Sequence, residues 1–193
     1  MESLIKFITD FSPQIKDHEL DLVLSKFSIR KLKKDKFLLK KGKVCNEFVI
    51  VHKGCFRIFS PSEGIELNSW FSFENMTATE FESFYNRKPS FYSVQAIEDA
   101  EIYVISHKDL QALYNEIENF KYFGLRLNEL LVTNVINILI SCQFKTPEER
   151  YLDVMNNPNY MNRIPLKDLA SFIGLTPNSL SRLRSRLVRK QKM

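Results

Sequence analysis

The sequence predicts an α+β protein in which a β-rich segment lies between helical segments. Between about Ser28 and Ser106, short stretches rich in β-branched and aromatic residues alternate with Gly, Pro, Asn or Ser. That pattern is typical of an antiparallel sandwich or barrel. Apolar residues at helical spacing precede and follow this segment. Residues 164–193 combine two short amphipathic helices with a concentration of basic charge.

Composition indicates a globular protein. The chain has 193 residues, 44% of them hydrophobic and 26% charged, enough for one large domain or two small ones. No uninterrupted apolar run reaches the roughly 18 residues of a membrane span, and "MESLIKFITDF" lacks the features of a secretory signal. Cys45, Cys55 and Cys142 form no C-x-x-C pair, so reduced thiols are expected. The sequence therefore predicts a cytoplasmic protein with no membrane partner.

The N-terminal stretch "SPQIKDHELDLVLSKF" is predicted to be helical, with Leu20, Val23 and Leu24 near a helical period. Ser12 is predicted to cap this helix, with Pro13 in its first turn. After the β segment, Ser106 is predicted to cap a further helix, with Asp109 completing a weak capping box.

A long helix is predicted over "NFKYFGLRLNELLVTNVINILISCQF", which contains no proline. Its length would be about 39 Å. The apolar stripe is broad: Phe120, Phe123, Leu127, Leu130, Leu131, Val135, Ile138 and Leu139. Such a helix is too long for a small sandwich to cover, so we expect it to pair with a second copy in a homodimer. An ordinary packing helix is the alternative.

The stretch "IPLKDLASFIGLTPNSLSRLRSRLVRK" has the pattern of a helix-turn-helix. The first helix is predicted to bury one face, formed by Leu166, Leu169, Ala170 and Ile173. Gly174 would supply the turn. Thr176 would cap a second helix that has Pro177 at its first position. That helix is predicted to bury Leu180, Leu183 and Leu187.

The opposite face of the second helix carries short polar side chains and arginines but no acid: Asn178, Ser181, Arg182, Ser185 and Arg189. Asn178 can pair with adenine and Arg182 with guanine in the major groove of DNA. Arg186, at the flank, suits a phosphate contact. Arg184 lies near the apolar edge, where backbone contact or packing is expected. A solvated face would mix acids with bases, so these residues indicate a surface that contacts DNA.

Charge is concentrated in the same segment. Residues 164–193 contain seven Lys or Arg and one Asp, a net charge of +6, whereas the first 163 residues carry −1. Such asymmetry favours a polyanionic partner for the C-terminal segment.

Enzymatic motifs are absent from the sequence. It contains no P-loop, no G-x-S-x-G, no H-E-x-x-H and no dinucleotide fingerprint. His18, His52 and His107 are far apart, and three scattered cysteines fall short of the four thiolates of an iron–sulfur cluster. We therefore expect no enzymatic activity, no metal site and no cofactor.

Sandwich, long helix and helix-turn-helix, in this order, resemble the Crp/Fnr superfamily of bacterial transcription regulators. "FLLKKGKVCNEFVIVHKGCFRIFS" is similar to the first strands of its cyclic-nucleotide-binding β-roll. "TPEERYLDVMNNP" and the helix-turn-helix are similar to the DNA-binding half of Bacteroidetes-type members. The resemblance implies a double-stranded β-helix (jelly-roll) sensor domain over 1–117, a dimerisation helix over 118–143 and a winged-helix-type helix-turn-helix over 144–193.

The resemblance also implies the residues that contact DNA. Pro177, Asn178 and Arg182 fall at the base-reading positions, and Arg182 matches the arginine of the family. The candidate DNA-binding set is Thr176, Pro177, Asn178, Ser179, Ser181, Arg182, Ser185, Arg186 and Arg189. The partner would be double-stranded DNA with a palindromic operator.

The nucleotide cassette of the family is degenerate in "ATEFESFYNRKPSFYSVQA". Glu80 matches the glutamate that holds the ribose, but Thr79 replaces its glycine neighbour. Ser90 stands where the phosphate-pairing arginine is expected. A buried phosphate without that arginine loses its bidentate partner, so we expect no cyclic AMP binding. Arg87 and Lys88 are off register and could substitute only in a rebuilt loop.

An unknown small-molecule effector remains one interpretation of the cassette region. The candidate effector pocket comprises Thr79, Glu80, Phe81, Ser90, Phe91 and Tyr92. The other interpretation is that its aromatic rings simply fill the roll. The sequence thus predicts a homodimeric, sequence-specific DNA-binding transcription regulator. The alternative is a ligand-binding sensor that acts through protein partners and has a vestigial helix-turn-helix.

Overall fold

The computed structural model describes residues 1–62 and 64–191, which form helices flanking a β-rich region. The α-helices are α1 Glu2–Phe11, α2 Asp17–Ser25, α3 Phe81–Asn86, α4 His107–Glu116, α5 Lys121–Phe144, α6 Pro147–Met155, α7 Pro158–Arg163, α8 Leu166–Phe172 and α9 Pro177–Gln191. The strands are β1 Ser28–Leu32, β2 Phe37–Leu39, β3 Glu47–Lys53, β4 Phe56–Ser62, β5 Ile65–Ser72, β6 Ser93–Ala96 and β7 Ala100–Ser106.

Two sheets form the β-roll, which confirms the predicted antiparallel sandwich. One sheet has the order β1-β7-β3 and the other the order β2-β6-β4-β5. Strand β7 lies between β1 and β3 with antiparallel register, so that Val104 faces both Ser28 and Val49. Non-adjacent strands in sequence pair in both sheets, as the jelly-roll expectation requires.

The core of the roll is largely aromatic. Phe48 lies within ring-contact distance of Phe81, Phe84 and Phe123. Phe120 stacks on Phe123 with ring centroids 4.9 Å apart. Helix α5 thus begins inside this core, which fixes the start of the long helix against the roll.

Gly54 joins β3 to β4 with φ at +110°. A Cβ atom there would lie 2.6 Å from the Cβ of Ala100. Only glycine permits both the positive φ and the close approach of β7.

The predicted cap at Ser12 is wrong. Ser12 is fully buried at the C-terminal end of α1, and its hydroxyl donates to the carbonyl of Asn119. The following helix begins at Asp17, where the Glu19 carboxylate accepts from the Lys16 amide. Tertiary burial of the amphipathic helix α1, which precedes the stretch quoted from the sequence, decides the role of Ser12.

The predicted cap of α4 is confirmed, and α6 also begins with a side-chain cap. The Ser106 hydroxyl accepts from the Asp109 amide, and Thr146 forms a capping box with Glu149 next to Pro147. The cap of α6 holds the pKa of Glu149 below its usual range, chiefly because the Thr146 amide donates to that carboxylate.

The chain divides into two compact units. One comprises residues 1–58 and 71–135, and the other comprises residues 59–70 and 136–193. In the second unit, residues 144–191 are helices and turns with no strand among those described. The β wing implied by the resemblance therefore has no counterpart in this part of the chain, because Asn157 caps a helix that begins at Pro158 where a hairpin would be needed.

Candidate nucleic-acid interface

Arg150 of α6 organises the helix-turn-helix. Its guanidinium donates from Nε and Nη2 to the carbonyl of Ile173, both at 3.1 Å, and from Nη1 to the carbonyl of Lys145 at 2.7 Å. Ile173 is the last residue before Gly174, which has φ at +77°. One arginine thus links the start of α6 to the turn between α8 and α9.

Helix α8 is also held by the β4–β5 hairpin in the same compact unit. The Ser171 hydroxyl donates to the carbonyl of Glu66 at 2.8 Å and accepts from the amide of Asn68 at 3.0 Å. The Asn68 side-chain amide lies 3.3 Å from Asp168 Oδ1. These contacts attach the first helix of the motif to β5, although the buried Asn68 Oδ1 has no hydrogen-bond partner among the described residues.

Helix α9 presents its polar face because its leucines are buried. Leu180 and Leu183 are buried and Leu187 is partly buried, as predicted. The Thr176 hydroxyl accepts from the Ser179 amide at 3.2 Å and caps the helix before Pro177. The sequence of α9 contains no carboxylate. The N-terminal end of this helix therefore offers donors and positive charge to an anion.

The candidate DNA-binding side chains share one surface. Eight of the set are exposed, namely Thr176, Pro177, Asn178, Ser181, Arg182, Ser185, Arg186 and Arg189. Ser179 is partly buried and bonds to the Thr176 hydroxyl at 2.9 Å. The Ser185 hydroxyl donates to the Ser181 carbonyl at 3.1 Å. Arg184 is exposed as well. Lys192, counted in the basic segment, lies outside the described residues.

Arg186 differs from the other arginines because it forms an ion pair with Glu148 in the first turn of α6. A cavity of about 590 Å³ separates the two helices, and its lining includes Thr146, Glu148, Arg182 and Arg186. Among the described residues, the Arg182 guanidinium contacts only Ser179, with Nη2 3.5 Å from Oγ. The charge available for base or phosphate contact therefore rests more on Arg182 than on Arg186.

Helix α5 carries a second candidate interface. Several apolar residues of this helix are exposed, among them Tyr122, Leu130, Ile136, Ile140 and Phe144. Six of its exposed residues recur at alternating spacings of three and four: Leu125, Asn128, Val132, Val135, Leu139 and Cys142. The four aliphatic members, Leu125, Val132, Val135 and Leu139, are 54% to 58% exposed. We call these six residues the seam. This is the heptad spacing of a two-stranded coiled coil, in which a polar residue such as Asn128 selects the register.

By length and composition alone, residues 118–144 also form the one described helix that could cross a membrane, with 11% of its apolar window buried. The heptad spacing of the seam residues favours a coiled coil over a membrane span. Seam residues occupy one side of α5, whereas Phe123 and Leu127 on another side are buried in the roll.

The polar side chains of the cassette form hydrogen bonds with backbone groups of the protein. Glu80 is 6% exposed and caps α3, accepting from the amides of Glu82 at 3.1 Å and Ser83 at 3.2 Å. The Thr79 hydroxyl accepts from the Val49 amide, and the Ser90 hydroxyl bonds to both the carbonyl and the amide of Tyr92. The N-terminus of α3 thus already holds a carboxylate of the chain itself.

The remaining cassette side chains do not form a common pocket. Phe81 packs on Phe48 and stacks with Tyr85, whereas Phe91 is 57% exposed. Arg87 adopts a left-handed conformation and donates to the carbonyls of Cys45 and Phe84 and to the Asn46 side chain. A cavity of about 370 Å³ in the roll is lined by residues 37–40, 43–47, 49 and 78 and by none of the candidate pocket residues.

Comparison with known proteins identifies the fold. Residues 29–116 match the family model of the cyclic nucleotide-binding domain. FixK2 from Bradyrhizobium japonicum is 14% identical over 86% of both chains, with a TM-score of 0.72. The chain has the Crp/Fnr fold. No curated protein sequence matches it.

Two further Crp/Fnr structures cover 92% of this chain and 86% of their own. A protein from Eubacterium rectale assigned to the Crp/Fnr family of transcriptional regulators is 13% identical, with a TM-score of 0.73. The catabolite activator protein of Thermus thermophilus is 21% identical, with a TM-score of 0.57. At these identities the comparisons establish the Crp/Fnr fold, and the family model establishes the domain type of the roll.

The sequence analysis missed three features that the structure shows. It did not pair Glu148 with Arg186, which are distant in sequence. It did not separate the seam of α5 from the residues that pack on the roll. It also treated the basic charge as C-terminal only, although residues 36–46 and 86–92 together contain six Lys or Arg and no acid. Counting charged residues over short windows would have revealed the last feature, because acidic residues elsewhere cancel these positive charges in the net charge of the first 163 residues.

Among the described residues, no group of three or more potential metal ligands occurs.

Proposed function

We propose that this chain is a homodimeric, sequence-specific DNA-binding transcription regulator of the Crp/Fnr type. The observation that carries the proposal is the acid-free, exposed face of α9, which buried Leu180 and Leu183 hold outward. Its bidentate donors suit base edges, and its position after a tight turn is that of a recognition helix.

The homodimer is proposed to form along the seam of α5. Four exposed aliphatic side chains at heptad spacing are costly for a monomer and are buried when two helices pair. In such a dimer two copies of α9 would contact half-sites about 34 Å apart. The DNA would therefore be a palindrome.

We propose that the roll does not bind cyclic AMP. Ser90 stands where the resemblance places the phosphate-pairing arginine, and its hydroxyl is bonded to the carbonyl and the amide of Tyr92, so a bound phosphate would lack a bidentate cationic partner. Arg87 is held by three acceptors of the loop and the helix, so it is not available to a phosphate without rebuilding. An effector of another kind, acting on α5 and the spacing of the two recognition helices, is compatible with this arrangement. The protein would act in the cytoplasm and catalyse no reaction.

The test is selection of random duplexes by the purified protein without ligand, across a salt series. We expect a palindrome and a steep salt dependence, both lost in Arg182→Ala. Arg184→Ala is the matched control, because it removes one charge from the same helix near its apolar edge. Binding without sequence preference, unchanged in Arg182→Ala, would contradict the proposal and favour a sensor with a vestigial helix-turn-helix.

A separate calorimetric titration tests the roll. Cyclic AMP at millimolar concentration should give no binding heat and no shift in melting temperature. Tight, saturable binding would overturn the proposal that the roll does not bind cyclic AMP.

A further inference from the structure

A second basic surface lies on the roll, far in sequence from the helix-turn-helix. Residues 36–46 and 86–92 contain Lys36, Lys40, Lys41, Lys43, Arg87 and Lys88 and no Asp or Glu. Four of these lysines and two exposed rings form what we call the lysine–phenylalanine surface: Lys40, Lys41, Lys43, Lys88, Phe37 and Phe91.

Backbone hydrogen bonds fix the two segments side by side. The Gly42 amide donates to the Ser90 carbonyl at 2.8 Å, and the Ser90 amide donates to the Lys43 carbonyl at 2.9 Å. Val44 and Pro89 form an isolated antiparallel bridge. The lysine ammonium groups are therefore carried on an ordered scaffold, so binding to them would cost little backbone entropy.

Two of the lysines lie close to the two exposed rings. Lys41 Nζ lies 4.4 Å from the centroid of Phe91, and Lys40 Nζ lies 5.2 Å from that of Phe37. Phe91 is 57% exposed and Phe37 40% exposed. Within the described part of the chain, Lys40, Lys43 and Lys88 form no salt bridge.

Nearby carboxylates are occupied elsewhere. Glu47 pairs with Arg30, and the buried Glu80 caps α3. The lysines of the neighbouring strand β1 differ in this respect, since Lys31 pairs with Glu101 and Lys33 binds Asp99. The positive charges of Lys40, Lys43 and Lys88 are thus less compensated than those of Lys31 and Lys33.

We propose that the lysine–phenylalanine surface binds single-stranded nucleic acid. Lysine is a point-charge ligand for phosphate, and an exposed ring offers a face on which an unpaired base can stack. A lipid surface fits less well, because a ring can enter hydrocarbon only if the ammonium group above it is also desolvated. A duplex fits less well because its bases show no free faces to Phe37 and Phe91.

The test uses the full chain and a fluorescein-labelled oligothymidylate, with anisotropy measured at several salt concentrations. Binding of the oligonucleotide should depend on the lysine–phenylalanine surface and not on α9. Each variant is therefore also made in a protein that carries Arg182→Ala and Arg189→Ala. Lys41→Ala/Lys43→Ala should reduce the slope of log K against log salt by about 1.4, at about 0.7 per phosphate contact. Phe91→Ala should weaken binding about tenfold with little change in slope.

The matched control is Lys31→Ala/Lys33→Ala, which removes the same charge from lysines already paired with carboxylates. It should leave the affinity within about twofold, since paired surface lysines contribute little. Phe91 is exposed, so its variant should keep the wild-type melting temperature.

Several results would overturn the proposal. One is an equal loss of affinity in the control and in Lys41→Ala/Lys43→Ala. Another is the loss of all oligonucleotide binding in the Arg182→Ala/Arg189→Ala background. Tighter binding to duplex, to polyglutamate or to vesicles of anionic lipid than to the oligonucleotide would assign the surface to a different partner. Parallel measurement with oligouridylate distinguishes RNA from DNA as the preferred source of the strand.

Discussion

Glu148 in the first turn of α6 forms an ion pair with Arg186 of α9, so one arginine of the candidate DNA-binding set is already neutralised by the protein. DNA phosphate must compete with this carboxylate for Arg186. Both partners are partly exposed, which makes the competition sensitive to salt. In the proposed DNA complex, this pair would limit non-specific attraction and leave Arg182 for base contact.

Glu148→Gln should therefore increase affinity for random duplex DNA and steepen its salt dependence by up to about 0.9, the contribution of one phosphate contact. Discrimination between selected and random duplex should fall. Competition binding at several salt concentrations measures both quantities.

Asp153→Asn is the control, because it removes one negative charge from the same helix but breaks the pair with Lys145 instead. If both variants raise the affinity for random duplex equally, net charge and not the Glu148–Arg186 contact is responsible.

The seam of α5 predicts a specific cross-link. In a parallel dimer Cys142 faces its counterpart, so mild oxidation should give a disulfide-linked dimer on a non-reducing gel. Cys45 and Cys55 are buried, and burial raises the pKa of the Cys45 thiol, so neither should react at a similar rate. Cys142→Ser should abolish the cross-link.

Val135→Asp tests the same interface without the thiol. A carboxylate in the centre of the seam should shift the protein to a monomer in sedimentation experiments. A dimer that persists in this variant, with the cross-link intact, would place the interface elsewhere.

Tyr114 predicts a stabilising substitution. Its hydroxyl is buried without a hydrogen-bond partner, and burial raises its pKa. Tyr114→Phe should increase the free energy of unfolding by about 1 kcal/mol, because it removes an unsatisfied polar group and keeps the ring on Phe120. Urea denaturation measures the change.

Gly124 provides a coupled measurement. A Cβ there would lie 2.9 Å from Tyr114 Oη, so Gly124→Ala should be destabilising in the native protein and less so in Tyr114→Phe. Additive effects would contradict the contact.

Stability should fall as the pH decreases through the range in which histidine titrates. Desolvation, and then the nearby Arg87, hold the pKa of His107 below its usual range. The folded state therefore resists protonation while the unfolded state takes up a proton at about pH 6.5, so this contribution is present above that pH and is lost below it. His107→Gln should reduce the difference between urea midpoints at pH 7.5 and 5.5.

The exposed His18 is the control for this measurement, and His18→Gln should leave the difference unchanged. Glu19, Asp99, Glu101 and Glu149 have lowered pKa values and contribute only at lower pH. An equal effect of both histidine substitutions would contradict the role of His107.

Local chemistry made the helix-turn-helix predictable from sequence. Gly174 at positive φ, Thr176 as cap and Leu180 as a buried residue depend on neighbours within a few positions. The Ser12 prediction failed because a long-range contact with Asn119 outweighs the local preference of serine for an N-cap. Local rules could not decide between these roles.

Features formed by distant residues were not predictable in this way. The stripe on α5 was predicted as one surface, but burial of Phe123 and exposure of Val135 divide it between the roll and a second interface. The cassette was predicted to lack a phosphate partner, and the structure adds that Glu80 caps α3. Neither observation follows from periodicity, because each depends on which element packs beside the residue.

The cap formed by Glu80 has a consequence for any anionic metabolite. The Glu80 carboxylate lies two residues before the Glu82 amide and three before the Ser83 amide, so its effective concentration at both donors is high. A diffusible anion could bind these two amides only by displacing a carboxylate that the chain itself holds in place. The affinity of this helix end for such an anion should therefore be lowered by the free energy of that displacement.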